Sequence, residues 1–239
     1  MKVFEYECIF LCEPIYNNCG RLKAIEILTR FSEPDGKLLS YSAVEVQLKS
    51  HDRWNIFCEQ MREVMLWANY ISKHNLLISL NIDGDVAEHL VNDHAILQVL
   101  RSAPYINLEV SENFERIDLS SNISTLFTIR EYIDLWLDDI GSGSRDNFDL
   151  LSKRFFKVAK IDKYFFWKSI IKNGLIDRVI KKLEYCAEIV VVEGVEKNEQ
   201  LLYLMKFNNC WFQGYIFEHK ELDSLDMIPL QIDLTNYLK

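Results

Sequence analysis

The run Leu137-Asp138-Asp139-Ile140-Gly141-Ser142-Gly143 ends an apolar, strand-like pattern in two adjacent acids and a glycine-broken turn. The residues before it, Ile133-Asp134-Leu135-Trp136-Leu137, suit a buried strand. Period-two geometry sends Asp138 and Asp139 to opposite sides unless the backbone turns, and Gly141 and Gly143 permit that turn. Two carboxylates held side by side repel, which raises the pKa of one of them unless a cation sits between them. A hard divalent cation is the natural remedy. Taken alone, an Asp-Asp pair is better read as a helix cap beside a solvated acid, so the reading rests on what accompanies it.

Working outward, strand-like runs fall at roughly 4–11, 24–31, 76–82, 106–111, 133–138, 158–162, 188–193 and 211–217. Helical patterns lie between most of them. Trp54, Phe57, Met61, Val64, Met65, Ala68 and Ile71 share one face; Val86, Leu90, Ile96, Leu97 and Leu100 do so less regularly, and 165–184 and 197–207 are helix-like. Strands alternating with helices over 239 residues predict an α/β fold, a (β/α)8 TIM-like barrel in one domain spanning 1–239. The connection after the first strand is too short for a crossover helix, so that strand is expected to pair antiparallel.

Polar residues stand in or at the carboxyl ends of these strands, where barrels of this kind build their sites. They are Glu26, Asn81, Glu109, Asp138 with Asp139, Lys160, Glu193 and Gln213, in chain order. Burying any of them unpaired is costly, and scattered accidents would not fall one to a strand. Glu26, Asn81, Glu109, Asp138, Asp139 and Glu193 offer oxygen ligands with no histidine or thiolate among them, which selects Mg²⁺ or Mn²⁺ over zinc. So many acids suggest a two-metal site, the usual device for in-line phosphodiester hydrolysis, with ions about 3.5–4 Å apart. Lys160 would hold the attacking water and Glu193 would be the general base.

Composition narrows the classes further. A formal net charge of −9 disfavours a grip on a nucleic-acid polymer. The acids in Met1-Lys2-Val3-Phe4-Glu5-Tyr6-Glu7-Cys8 do not suit a signal peptide, and no apolar stretch is long enough to span a membrane, so a soluble, cytoplasmic protein is expected. The cysteines form no CxxC pair and are read as reduced thiols, mostly buried; the histidines lack ligand spacing and are read as structural or surface residues. The aromatic run Tyr164-Phe165-Phe166-Trp167 is read as core packing in preference to a dimer surface.

With these residues assembled, the chain resembles the EAL-domain family of bacterial cyclic di-GMP phosphodiesterases over nearly its whole length. Glu-Ile-Leu-Thr-Arg-Phe at 26–31 is similar to the EALxRW signature, and Leu80-Asn81-Ile82-Asp83 to the NxS strand end. Leu108-Glu109-Val110-Ser111-Glu112 is similar to LExTE, and Asp138-Asp139-Ile140-Gly141-Ser142-Gly143 to DDFGTG. Lys160-Ile161-Asp162-Lys163, Glu193-Gly194-Val195-Glu196 and Gln213-Gly214-Tyr215 resemble KIDR, EGVE and QGY.

The resemblance implies metal ligation by Glu26, Asn81, Glu109, Asp138 and Asp139, with Glu193 as base and metal-site partner. Lys160 would position the water, Gln213 would support the site and Arg30 would contact a substrate phosphate. Glu112 would anchor the loop after the fifth strand, where Ser142 keeps the hydroxyl of the family's threonine. The implied reaction is hydrolysis of cyclic di-GMP to linear pGpG by a stand-alone EAL protein, a homodimer by family habit, lowering a messenger that controls motility, adhesion and biofilm. The chain departs from the pattern at Glu13-Pro14-Ile15, where the family has Gln-Pro-Ile near the substrate, at Ile140 and Ser144 in the loop, and after Tyr215, where the usual proline is missing. The other classes weighed are a cyclic di-GMP receptor or protein-binding regulator, and a different Mg²⁺-dependent barrel of the enolase or aldolase kind, which would leave the Glu-Ile-Leu-Thr-Arg and Gln-Gly-Tyr motifs unexplained.

Overall fold

A computed structural model describes residues 1–111, 122–142, 151–171 and 174–237. Its strands are β1 (Lys2–Val3), β2 (Tyr6–Asn17), β3 (Leu22–Ser32), β4 (Leu38–Ser40), β5 (Leu77–Asn81), β6 (Ile106–Ser111), β7 (Leu135–Ile140), β8 (Val158–Ile161), β9 (Ile189–Val192), β10 (Cys210–Phe212) and β11 (Lys220–Glu221). From β3 through β5, β6, β7, β8 and β9 to β10 each barrel strand runs parallel to the next. The barrel is closed by β2, which is antiparallel to β3 on one side and to β10 on the other. The expected TIM-like barrel with a reversed first strand is therefore the fold observed.

That first strand is Tyr6–Asn17, not 4–11. Val3 already pairs back on Tyr6 across a turn in which Phe4 has φ +56°, so the chain reverses before the strand begins. Pro14 made the continuation past residue 11 hard to read, because proline lacks the ladder N–H. It is accommodated where β2 has little to pair with on its outer side: β11 covers Leu11 and Cys12, and β10 covers Tyr16 and Asn17. The last strand, expected over 211–217, stops at Phe212 because Phe217 N–H turns back onto the Gly214 carbonyl.

Several expected helices are pairs. The stripe from Trp54 to Ile71 divides into Ser50–Leu66 and Ala68–His74, and the stretch from Val86 to Leu100 into Gly84–Asn92 and His94–Ser102. Asp93 makes the second break by accepting hydrogen bonds from the N–H groups of Ala95 and Ile96, a strong cap. Likewise 165–184 is Lys163–Ile170 followed by Leu175–Glu184, the latter burying Ile176, Ile180 and Leu183 on one face.

Alternation along the strands builds two separate cores. Outward positions such as Ile25, Ile27, Ile78, Leu80, Leu108, Val110, Leu135, Leu137, Ala159, Ile161, Val190 and Val192 pack in the large cluster beneath the helices. Inside the barrel a second cluster joins Ile15, Ala24, Trp136, Val158, Val191 and Trp211. Two residues further on stand Glu26 on β3, Asp138 on β7, Lys160 on β8 and Gln213 just past β10. The period of two thus places the charged layer on the same inner face, one step nearer the mouth.

The turn after β7 is held by contact as well as by conformation. Gly141 has φ +101°, and a Cβ there would lie 2.4 Å from Phe165 Cγ. Gly36 has φ +86° with open space around it. Gly141→Ala should therefore cost about 1–3 kcal/mol and lower the melting temperature by several degrees, clearly more than Gly36→Ala, which carries the backbone penalty alone. Equal melting temperatures for the two variants would show that the contact with Phe165 does not hold the turn.

Candidate active site

At the mouth of the barrel the ammonium of Lys160, fully buried, lies 2.9 Å from Glu26 Oε2, 2.8 Å from Glu109 Oε2, 3.3 Å from Asp138 Oδ1 and 2.8 Å from Glu193 Oε1. The strands of these residues bring them together: β3, β6, β7, β8 and the residue following β9. Glu26 is further held by Asn81, whose amide donates to Oε1 at 2.7 Å, and by the amide of Gln213, which donates to Oε2. Every expected residue of the cluster among Glu26, Asn81, Glu109, Asp138, Asp139, Lys160, Glu193 and Gln213 is delivered to this one mouth.

Asp138 and Asp139 do share a side, and the turn responsible begins earlier than the glycines. Asp139 itself has φ +61°, and the pairing of β7 with β8 shifts register between Leu137 and Ile140. The bulge re-aims one side chain, as irregularities beside sites commonly do. Asp139 Oδ2 accepts from the Ser111 hydroxyl at 3.1 Å, and its carbonyl accepts from Ser142 N–H at 3.0 Å, which is the place of the expected loop residue Ser142. Glu112, Gly143 and Ser144 lie outside the described residues.

Four acids around one ammonium do not balance. Burial would push the Lys160 ammonium down, but Asp138, Glu109, Glu193 and Glu26 hold it well above the ordinary lysine value, so it stays charged. Burial also works against the Glu26 carboxylate, yet the Lys160 charge and the hydrogen bonds from Gln213, Lys160 and Asn81 bring it below its usual value. The others lack that support. Burial, with the Glu26 charge added, drives Glu109 well up; burial and the Asp138 charge do the same to Glu193. Asp138 rises to about 6, by burial first and then by repulsion from Glu26 and Asp139.

This excess of carboxylate fits further cations. Ligand oxygens of Glu26, Glu109 and Asp138 lie within 4.8 Å of one another, and so do those of Asp138, Asp139 and Glu193. The two groups share Asp138. Glu109 Oε1 is buried and accepts no hydrogen bond, and Asp138 Oδ1, also buried, has the Lys160 ammonium at 3.3 Å without a hydrogen bond. An all-oxygen donor set with orphaned lone pairs suits a hard divalent ion.

The cluster floors a pocket of about 250 Å³ whose walls include Glu13, Leu28, Arg30, Lys163, Glu196 and Tyr215. Arg30 stands two strand steps beyond Glu26 on β3, half-buried, with Nη1 donating to the Thr29 carbonyl. Glu13 pairs in register with Glu26, and its Oε1 lies 3.5 Å from His219 Nε2. So His219, read from sequence as structural or surface, belongs to the pocket surroundings. Two further contacts carry no signal in the sequence: the Ser111 hydroxyl on Asp139, and the Trp167 indole N–H, which donates to the Gly194 carbonyl at 2.7 Å. Of the aromatic run, Phe166 is core, whereas Tyr164 is exposed and Phe165 and Trp167 back the loops after β7 and β9. The thiols are free, with Cys8, Cys12 and Cys210 buried and Cys19 exposed. Among the described residues no helix is long and apolar enough to cross a membrane.

Comparison with known proteins agrees with the geometry. Cyclic di-GMP phosphodiesterase PdeH of Escherichia coli K12 is 30% identical over 201 residues, covering 82% of this chain and 77% of PdeH. The putative anti-FlhC(2)FlhD(4) factor YdiV of the same strain is 24% identical over 220 residues, covering 90% of this chain and 92% of YdiV. The crystal structure of the EAL-like domain protein YdiV superposes with a TM-score of 0.82 at 22% identity, over 95% of this chain and 97% of that one. A manganese and cyclic di-GMP complex of Klebsiella pneumoniae BlrP1 superposes with a TM-score of 0.69 at 20% identity, over 90% of this chain and 56% of the other. The family model for the EAL domain matches residues 7–220, and the chain belongs to that family.

Proposed function

We propose that this protein is a metal-dependent phosphodiesterase that hydrolyses cyclic di-GMP to linear pGpG. The observation that carries the reading is the mouth of the barrel, where two carboxylate groups share Asp138 and together exceed the charge of the one lysine among them. Glu26, Asn81, Glu109 and Asp138 would hold one Mg²⁺ or Mn²⁺ ion, and Asp138, Asp139 and Glu193 a second. Bound there, the ions would supply positive charge to the phosphodiester and acidify the attacking water.

The remaining work falls to the chain's own groups. Arg30 binds a phosphate oxygen from the pocket wall. Glu193 takes the proton of the water as its oxygen attacks phosphorus and the bond from phosphorus to one 3′-oxygen breaks; the departing oxygen leaves as a hydroxyl once protonated. Lys160 acts mainly by fixing the acids, since its ammonium is already engaged by four carboxylates. Gln213 and Asn81 keep Glu26 ionised and oriented.

A second reading has its own support in the likeness to YdiV over nearly the whole of both chains. In that reading the barrel is a regulator that binds the nucleotide, or a protein such as an FlhD–FlhC complex, without turnover. Incubating purified protein with cyclic di-GMP and Mg²⁺ or Mn²⁺, with chromatographic detection of pGpG, separates the two. Metal-dependent product is expected, with Asp138→Ala lowering turnover at least about a hundredfold and Glu193→Gln lowering kcat about 10²–10⁴-fold at similar KM. Nucleotide binding without product would establish the regulator instead.

The charge excess has a signature that needs no substrate. A carboxyl raised in the folded state destabilises the fold once it ionises, so for Asp138 the penalty grows as pH climbs from its ordinary 3.8 to about 6 and persists above. In chelator, Asp138→Asn should melt several degrees above wild type at pH 8 and show little advantage near pH 4; added Mn²⁺ should stabilise wild type and reverse the order. Equal melting at pH 8 in chelator would mean the acids are not in excess.

Glu13 lines the pocket that would receive the substrate's anionic groups. Glu13→Gln should lower KM about two- to fivefold with little change in kcat. An unchanged KM would remove Glu13 from the phosphate's neighbourhood.

A further inference from the structure

The loop that carries Glu193 is fixed on three sides. Glu193 N–H donates to the Ile161 carbonyl at 3.1 Å, tying it to β8, and Val195 N–H donates to the Gln213 carbonyl at 3.0 Å, tying it to the segment after β10. Between them, the Gly194 carbonyl accepts from the indole N–H of Trp167 at 2.7 Å. Gly194 has φ +68°, and a Cβ on it would lie 2.4 Å from Lys163 Cβ and 3.1 Å from the indole nitrogen. The helix Lys163–Ile170 therefore sits in close contact with the loop.

The same helix braces the other half of the site. Phe165 fills the space beside Gly141, directly after Asp138, Asp139 and Ile140. Its first turn is capped by Asp162, which accepts from Phe165 N–H at 2.8 Å and stands two residues after Lys160. One short helix is thus locked to the strand ends that deliver Lys160, the aspartate pair and Glu193. Trp167 is the member of this set that makes a directed polar bond to the Glu193 loop, and its bond is not required by the strand ladder.

We propose that Trp167 is a positioning residue for Glu193: its N–H holds the Gly194 carbonyl, and through it the direction in which the Glu193 carboxylate enters the mouth. The inference rests on the phosphodiesterase reading for its kinetic consequence and on the geometry alone for its structural one. A carboxylate whose approach is loosened still allows nucleotide to bind through Arg30 and the rest of the pocket, but it meets the attacking water less often. The effect belongs in kcat.

Trp167→Phe keeps an aromatic ring and deletes the N–H. It should lower kcat about tenfold with KM within twofold, while Trp54→Phe, a ring stacked on His89 far along the chain, serves as the comparison for ordinary loss of packing. Backbone hydrogen exchange read by mass spectrometry over peptides spanning 193–196 should speed up at least about tenfold in Trp167→Phe and not in Trp54→Phe. Unchanged exchange there overturns the proposal whether or not the protein is an enzyme. Unchanged kcat beside faster exchange overturns it too, because the brace would then not serve Glu193. If wild type makes no pGpG, the phosphodiesterase reading falls by itself, and the exchange result still decides whether Trp167 holds the loop.

Discussion

One buried ammonium organises the mouth of this barrel. Lys160 is surrounded by carboxylates from strands that are up to 134 residues distant from it in the chain, at 2.8–3.3 Å. Burying a cation is expensive unless its partners come with it, and burying those acids is expensive without the cation. Each therefore fixes the register of the strand that bears the other, because a slip by one residue would send the side chain to the outer, apolar face. The same arrangement leaves a surplus: against burial, the one positive charge and the hydrogen bonds from Gln213 and Asn81 hold Glu26 below its usual value, while Glu109, Asp138 and Glu193 are pushed upward.

The reversed first strand gives the mouth its shape. Because β2 runs against β3, the two form a long hairpin that continues past the barrel, with β4 added to β3 and β1 and β11 added to β2. Positions of one alternation on β3, namely Glu26, Leu28 and Arg30, line the pocket in succession, so the guanidinium stands on the wall above the acids. Glu13 enters from the opposing strand, directly across from Glu26. A parallel first strand would present its carboxyl end here and place neither Glu13 nor the extended hairpin at this position.

The barrel and its cluster were legible because both obey a period of two. Charged residues such as Glu109 and Lys160, set in otherwise apolar strands, are conspicuous in a linear reading, and their order along the chain is the order of strands around the barrel. What escaped was whatever depends on geometry without a pattern. Pro14 hid the second half of β2, since its tolerance there depends on which partner strands cover which residues. Asp139 begins the turn that Gly141 continues, because a bulge is set by pairing with β8. Trp167 read as one more core aromatic: nothing in its neighbours signals that its N–H meets a carbonyl 27 residues away. His219 likewise joins Glu13 only through the fold.

The charged layer also bears on the two roles known among the relatives. One step deeper, the same barrel is filled by Ile15, Ala24, Trp136, Val158, Val191 and Trp211, so apolar packing across its interior is available to this chain. Closing the mouth with such residues would remove buried acids whose protons are held against their ordinary pKa values, and replacing buried ion clusters by apolar side chains is often stabilising. Stability alone therefore gives no reason for Glu109 and Asp138 to be acids. A requirement to bind cations does, since ions would meet the unpartnered Glu109 oxygen and offset the surplus charge. A protein partner by itself makes no such demand on buried acids. The buried acids therefore call for a reason beyond packing, and a hard divalent cation supplies one.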